Sequence, residues 1–381
     1  MKRAALAGIL IICILLSGCG QLLDGAYIWT QLHSIPVSPG SGQNIAADNY
    51  DQLYNALVTL VEAGTVQATI SVEKYDRDKI EQDTAAAIAA VRAENPIAAY
   101  AVADIVCTLG TSGGETVLAV DVAYIHDQAQ ISKIHTVADN GAAAEVVAAA
   151  LDACETGIVL KIENYEPADF AQIVEDYAFT CPEAVMETPQ VAVNIYPEMG
   201  QTRVVEIKFS YQTSRDNLKN MQSQVENLFK SAQFFASGHR TERARFTRLY
   251  TWLMETNEYT IQTSITPAYS LLQYGIGDSR AIATVYASLC RRMGLECLTV
   301  TGTRDGESWY WNILCIDGTY VHIDLLRCSE WGHFRTQTDG QMEGYVWDYD
   351  AYPNSPDPEP TVPETTAPTA PEITETTVPK E

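Results

Sequence analysis

Two stretches of this chain repeat each other roughly 90 residues apart, which constrains its fold more than any single motif does. VEKYDRDKI at 72–80 aligns with IENYEPADF at 162–170, and TVLAVDVAY at 116–124 aligns with RVVEIKFSY at 203–211, matching Tyr75 to Tyr165 and Tyr124 to Tyr211. Hydrophobic spacing gives the same order of elements twice. In the first copy Leu53, Leu57, Leu60 and Val61 share one helical face over 51–63, a strand follows at 66–72, and a second helix at 78–92 stops before Asn95-Pro96. Strands at 98–109 and 116–124 flank Gly113-Gly114. The second copy reads as helix 143–154, strand 158–162, helix 167–179, and strands 190–196 and 203–211 turning at Met199-Gly200. Any two α/β units look alike at this level, but the matched tyrosines favour a duplicated αβαββ unit, at 48–126 and 142–213. A polar helix at 214–235 connects the two copies to the C-terminal part of the chain.

The 381 residues are 46% apolar, enough for a sizeable core, and 49 acidic against 24 basic residues give a formal net charge of −25. Such a surface repels phosphate backbones and anionic headgroups, so nucleic acid is excluded as a partner and charge cannot hold the protein on a membrane. The first residues offer another means. Lys2 and Arg3 precede the apolar run from Ala4 to Leu15, and Leu16-Ser17-Gly18-Cys19 follows. This resembles a bacterial lipoprotein signal peptide with its lipobox. The resemblance implies a signal peptide at 1–18 and a diacylglycerol on the Cys19 thiol, hence an extracytoplasmic protein lipid-anchored to the bacterial cell membrane. An ordinary secretory signal or an uncleaved anchor would also place the rest outside the cytoplasm.

Residues 19–47 are rich in Gly, Ser, Pro and Gln and read as a tether. At the other end, 351–381 reads as a disordered acidic tail: the 29 residues from Pro353 hold eight prolines and seven threonines, a composition that cannot bury a core. A wall spacer, a glycosylation target and a plain solvated end all fit it. Cys107, Cys154, Cys181, Cys290, Cys297, Cys315 and Cys328 show no metal-ligand spacing, so no metal or cofactor is indicated. Cys290, Cys297, Cys315 and Cys328 are close enough in sequence to meet, while Cys154 and Cys315 read as small core residues. Arg240, Arg243, Arg245 and Arg248 read as a solvated helix face paired with carboxylates elsewhere, or as a docking patch.

The later sequence carries a second pattern. Leu249-Tyr250-Thr251-Trp252-Leu253, Asn257-Glu258-Tyr259 and Ala268-Tyr269-Ser270-Leu271-Leu272 precede GIGDSRAIATVYASLCRRMGLEC (275–297) and WYWNILCIDGTYVHIDLL (309–326). This resembles the bacterial transglutaminase-like domain, a relative of the papain-like cysteine peptidases, over roughly a quarter to a third of the chain. The resemblance implies an α+β domain, set at 236–350, with a cysteine opening a helix, a histidine on a strand and an aspartate ending the next strand. Counted from Met293-Gly294-Leu295 and Trp311-Asn312, the cysteine position holds Ser279 and the histidine position Trp309; Asp324 alone matches.

The chemistry needs a thiolate beside an imidazole that a carboxylate orients. A serine hydroxyl depends on a base even more than a thiol does, and an indole N–H has no lone pair to accept its proton. Asp278-Ser279 also suits a plain helix N-cap. Cys290 lies eleven residues on, about 16 Å along a helix, and does not replace the nucleophile. His322, two residues before Asp324, shares its side of a strand, so a rewired Ser279-His322-Asp324 set is conceivable, as is a packing role. Trp309, Tyr310, Trp311 and His322 are the candidate binding residues, with alternation sending part of the aromatic group into the core.

The expectation is a surface lipoprotein of α+β class whose transglutaminase-like domain has lost its cysteine chemistry and binds peptide or cell-wall polymer, or serves as scaffold. One rival is an active amide hydrolase or acyltransferase acting through Ser279 or through Cys290, Cys297, Cys315 or Cys328. Another is an adhesive protein whose duplicated units make the contacts.

Overall fold

The computed structural model describes residues 45–255 and 259–357. The signal segment with Cys19, the tether before Ile45 and the tail from residue 358 lie outside the described residues. The chain divides into two compact units, one running up to Ile134 together with Tyr196–Gly200, the other comprising His135–Ile195 and the chain from Gln201 onward.

The first unit contains β1 (Ile45–Ala46), α1 (Tyr50–Glu62), β2 (Gln67–Ser71), α2 (Ile80–Glu94), α3 (Pro96–Ala101), β3 (Val102–Ser112), β4 (Glu115–Tyr124) and the single turn α4 (Gln128–Ile131). Its sheet runs β1-β2-β4-β3, with β1 parallel to β2 and the other pairs antiparallel. Asn49 caps α1 by accepting the N–H of Gln52, and Leu53, Leu57, Leu60 and Val61 are buried as their spacing requires. The strand expected from 98 begins only at Val102. Asn95 both closes α2 and caps α3, accepting the Ala98 N–H at 2.9 Å, with Pro96 in the first helical position where its missing N–H costs nothing.

The second copy has β5 (His135–Asp139), α5 (Asn140–Asp152), β6 (Gly157–Asn164), α6 (Phe170–Thr180), β7 (Gln190–Tyr196) and β8 (Arg203–Ser210), in the order β5-β6-β8-β7. Again the first strand is parallel to its neighbour and the second pairs antiparallel with the last. The duplication is thus written in the strand order, and each copy gains a leading strand. Neither leading strand was legible by periodicity: β1 has two residues, and four of the five in β5 are exposed. Phe170 and Val174 of α6 and Val147 and Leu151 of α5 pack on Leu160, Ile162, Val205, Ile207 and Phe209.

After this copy come α7 (Arg215–Ala236), α8 (Glu242–Met254), α9 (Pro267–Tyr274), α10 (Ser279–Arg292), β9 (Cys297–Arg304), β10 (Glu307–Ile316), β11 (Thr319–Ile323), α11 (Leu325–Trp331) and β12 (Tyr345–Trp347). The sheet is antiparallel, β11-β10-β9-β12. Every residue of α10 from Ser279 to Cys290 except Arg280 is buried, so this helix is the centre of the domain. The second copy is fastened to it by polar contacts. Gln222 on α7 donates to the carbonyls of Asp152 and Ala184, and Arg291 at the end of α10 donates to the carbonyl of Thr180 and pairs with Glu183.

Two expectations change here. The fold does not stop at residue 350: Ser355 is fully buried, donates its hydroxyl to the Tyr320 carbonyl, accepts the Asp339 N–H on its own carbonyl and donates its N–H to Asp339 Oδ2, while Thr338 bonds Asp357. The prolines around Ser355 break regular structure without preventing this edge of chain from docking. The arginine run also departs from its expected pairing. Among the described residues none of the four reaches a carboxylate; Arg245 donates to the Met293 carbonyl, and the Arg248 guanidinium lies 3.7 Å from the Phe235 ring centre.

Gly302 on β9 shows how tightly the last sheet is closed. A Cβ there would lie 2.7 Å from the Trp311 ring and closer still to the Val346 carbonyl. Gly302→Ala is therefore expected to cost about 1–3 kcal/mol, read as a lower denaturant midpoint with unchanged slope.

Candidate functional site

Ser279 opens α10 behind its cap residue. Asp278 takes the Ala281 N–H on Oδ1 at 2.9 Å and the Thr263 hydroxyl on Oδ2 at 3.2 Å, so the N-cap role falls to Asp278 and leaves Ser279 as the first helical residue. Ser279 is 7% exposed, and its Oγ accepts the Tyr310 backbone N–H at 3.3 Å. That bond ties the start of α10 to β10. The gap bordered by Ser279, Tyr310, Asp324 and Leu326 holds no space for a water molecule.

Asp324 lies at the end of β11, 2% exposed. Its Oδ1 caps α11, accepting from Leu326 N at 3.0 Å and Arg327 N at 3.2 Å. Its Oδ2 accepts from Trp309 Nε1 at 2.8 Å, from the Tyr345 hydroxyl at 2.6 Å, and from Arg304 Nη1 at 3.4 Å. Burial, then the Asp324 charge, hold the Tyr345 phenol far above its usual range, which keeps it a donor. The Arg304 guanidinium also lies 5.1 Å from the Trp309 ring centre. Asp324, Trp309 and the start of α10 thus come together as the sequence pattern implied. The clamp made by Arg304 and Tyr345 was not legible, since these residues arrive from β9 and β12 with no local signal.

His322 is turned away from Asp324. Alternation along β11 puts the two on one side, but His322 is 0% exposed, takes the Trp311 Nε1 proton on Nδ1 at 2.9 Å, and lies 2.8 Å from Asp339 Oδ1 through Nε2. A rewired Ser279-His322-Asp324 set is therefore not assembled. Trp311, 1% exposed, packs edge-on against Tyr345 and Trp347. Of the four candidate binding residues, Trp311 and His322 are core, because the inward pleat of β10 and β11 carries them under β12 and the closing segment. Trp309 and Tyr310 are partly exposed.

Burial is the largest influence on His322 and holds its pKa below the usual value, with Asp339 working the other way. With Nδ1 accepting, the proton belongs on Nε2, and a second proton would set N–H against N–H. The unfolded chain therefore takes up a proton first as the pH falls. This contribution to stability is complete above about pH 6.5 and is lost as the pH drops from there toward the lower folded pKa. Unfolding free energies measured between about pH 7 and about pH 5 should show a shallower slope in His322→Gln than in wild type.

The seven described cysteines are all free. Cys290 is wholly buried and its thiol is pushed well up by burial, Cys328 is pushed up to about 11 by burial, and Cys315 is also raised, by burial and then by Glu296. None of these three has the lowered pKa of an attacking thiol.

A capped, buried helix packed on an antiparallel sheet, with a carboxylate ending one strand and a ring donor from the next, is an α+β architecture of the kind the sequence pattern implied. Residues 230–330 match the family described as the transglutaminase-like superfamily, and the chain carries a transglutaminase-like domain there. Among solved structures the chain is similar to a transglutaminase at 9% identity, covering 44% of this chain and 50% of that one, with a TM-score of 0.25. It is also similar to a proposed cysteine protease from Cytophaga hutchinsonii (13% identity, 41% and 70% coverage, TM-score 0.25). A proposed protease from Parabacteroides distasonis matches at 8% identity, with 68% and 39% coverage and a TM-score of 0.22. The chain spans half the length of the first of these. No curated protein matches the chain.

Proposed function

We propose that this protein is a lipid-anchored envelope protein whose transglutaminase-like domain is non-catalytic and binds peptide or cell-wall polymer, or acts as scaffold. One observation carries the reading: the Trp309 indole N–H bonds Asp324 at 2.8 Å, where a catalytic histidine would be oriented by that carboxylate. An indole cannot take a proton from Ser279, and the gap beside Ser279 is closed in this structure. Asp324 is neutralised by Arg304 and bonded by Tyr345, which suits a structural post. The test is to assay the purified protein against peptide, amide and transglutamination substrates beside Ser279→Ala. No turnover in either is expected; turnover that disappears in the variant would establish a serine-type enzyme instead.

The anchoring half of the proposal rests on the lipobox ending in Cys19. Cys19→Ala should abolish labelling by a radioactive fatty acid and release the protein from the membrane fraction. Unchanged labelling would place the lipid elsewhere.

A further inference from the structure

On the side of α10 facing the second α/β copy, away from the gap beside Ser279, there is a cavity of about 260 Å3. Its walls include Phe179 and Val185 from α6 and the loop after it, and Ile265 from the stretch before α9. The α6 side lies outside the matched segment 230–330, so the cavity belongs to this chain's own combination of parts. At roughly 30 Å3 per water it has room for about nine, less than a site for a drug-sized ligand, so a chain end fits it better than a whole cofactor.

The charges in the cavity are not equivalent. Glu187, 4% exposed, accepts the backbone N–H of Gln212 and Thr213, one on each oxygen, and Asp278 is held by Ala281 and Thr263. Both carboxylates are occupied by the fold. Arg280 is not. Its guanidinium lies 5.4 Å from the Phe179 ring centre and 5.9 Å from that of Tyr310, and no carboxylate among the described residues lies within 4.0 Å of it. Arg291 and Arg292 on the same helix pair with Glu183 and Glu226. Among the described residues that line the cavity, Arg280 is the one basic side chain. The two rings lie against each other, 6.0 Å between centres, with the guanidinium beside them, and its N–H groups suit a bidentate carboxylate. The remaining wall mixes apolar side chains with the polar Thr188, Gln212, Thr263, Ser264 and Thr284, a mixture that suits the amides and side chains of a peptide end better than a free inorganic anion.

We infer that this cavity takes the C-terminal end of a short apolar peptide, its carboxylate on Arg280 and its last side chains between Phe179, Val185 and Ile265. The assignment rests on the proposed binding function and gives it a location. The probes are N-acetyl-alanyl-valyl-alanine and its C-terminal amide, titrated by calorimetry into the full chain in detergent, with the peptide then checked for cleavage by mass spectrometry. The acid should bind about tenfold or more tightly than the amide, and Arg280→Gln should erase the difference. Arg280 is exposed, so the variant should melt with the wild type, which separates lost binding from lost fold. An intact peptide that binds equally as acid and amide, binds in neither form, or keeps its preference in Arg280→Gln would overturn the site. Cleavage of the peptide would instead overturn the non-catalytic reading.

Discussion

Asp324→Ala should destabilise the domain by about 3–5 kcal/mol, a large part of the roughly 5–15 kcal/mol that holds a domain folded. The carboxylate is 2% exposed and five donors converge on it, two of them backbone N–H groups at the start of α11. Its removal takes from Arg304 its one buried partner, leaving the exposed Glu330 and Asp305 carboxylates, and orphans the Trp309 indole N–H and the Tyr345 hydroxyl. Asp324→Asn keeps an acceptor for the cap and should lose less, with Arg304 left to its exposed partners Glu330 and Asp305. Denaturant unfolding of the three proteins would measure this. An Asp324→Ala variant as stable as wild type would show that the cluster is incidental, and the case for a structural carboxylate would fall with it.

The second large effect is a gain. Ser279→Cys combined with Trp309→His is expected to rebuild a thiol–imidazole–carboxylate set on the existing frame. Asp324 already accepts a ring N–H from position 309, and the neighbouring Tyr310 N–H bonds Ser279 Oγ, which brings this strand to the start of α10. A thiol at a helix N-terminus beside an imidazolium ionises several units below the usual value of about 8.5. At about pH 6 the double variant should therefore be alkylated by iodoacetamide at the introduced thiol at least about tenfold faster than Ser279→Cys alone. Peptide mapping would confirm the position. Equal rates would mean that these two positions do not face each other as the family pattern requires, and the reading of Trp309 as a replaced histidine would be lost.

How far the sequence reached depends on the range of the interaction concerned. The helices were legible because their signals are local: Leu53 to Val61 on one face, Asp278 ahead of a helix, and Gly113-Gly114 and Met199-Gly200 between strand pairs. The proximity of Ser279, Trp309 and Asp324 was legible too, from spacing within one contiguous segment. What spacing left undetermined was how each group is used. Alternation put His322 beside Asp324, yet hydrogen bonding from Trp311 and Asp339 claims its ring, and Asp339 is in turn held by Ser355 from a proline-rich stretch that composition assigned to the tail.

The sequence by itself determined the duplication, the order of most helices and hairpins, and the nearness of Ser279, Trp309 and Asp324 within one segment, because periodicity, capping and short spacings act over limited stretches of chain. The tertiary structure alone decided the leading parallel strands, the Arg304–Tyr345 clamp on Asp324, the isolation of His322 and the unpaired Arg280. Each of these joins groups distant in the chain through single side chains or a few exposed residues. Such contacts leave no repeating pattern in the sequence, and only the packed fold brings them together.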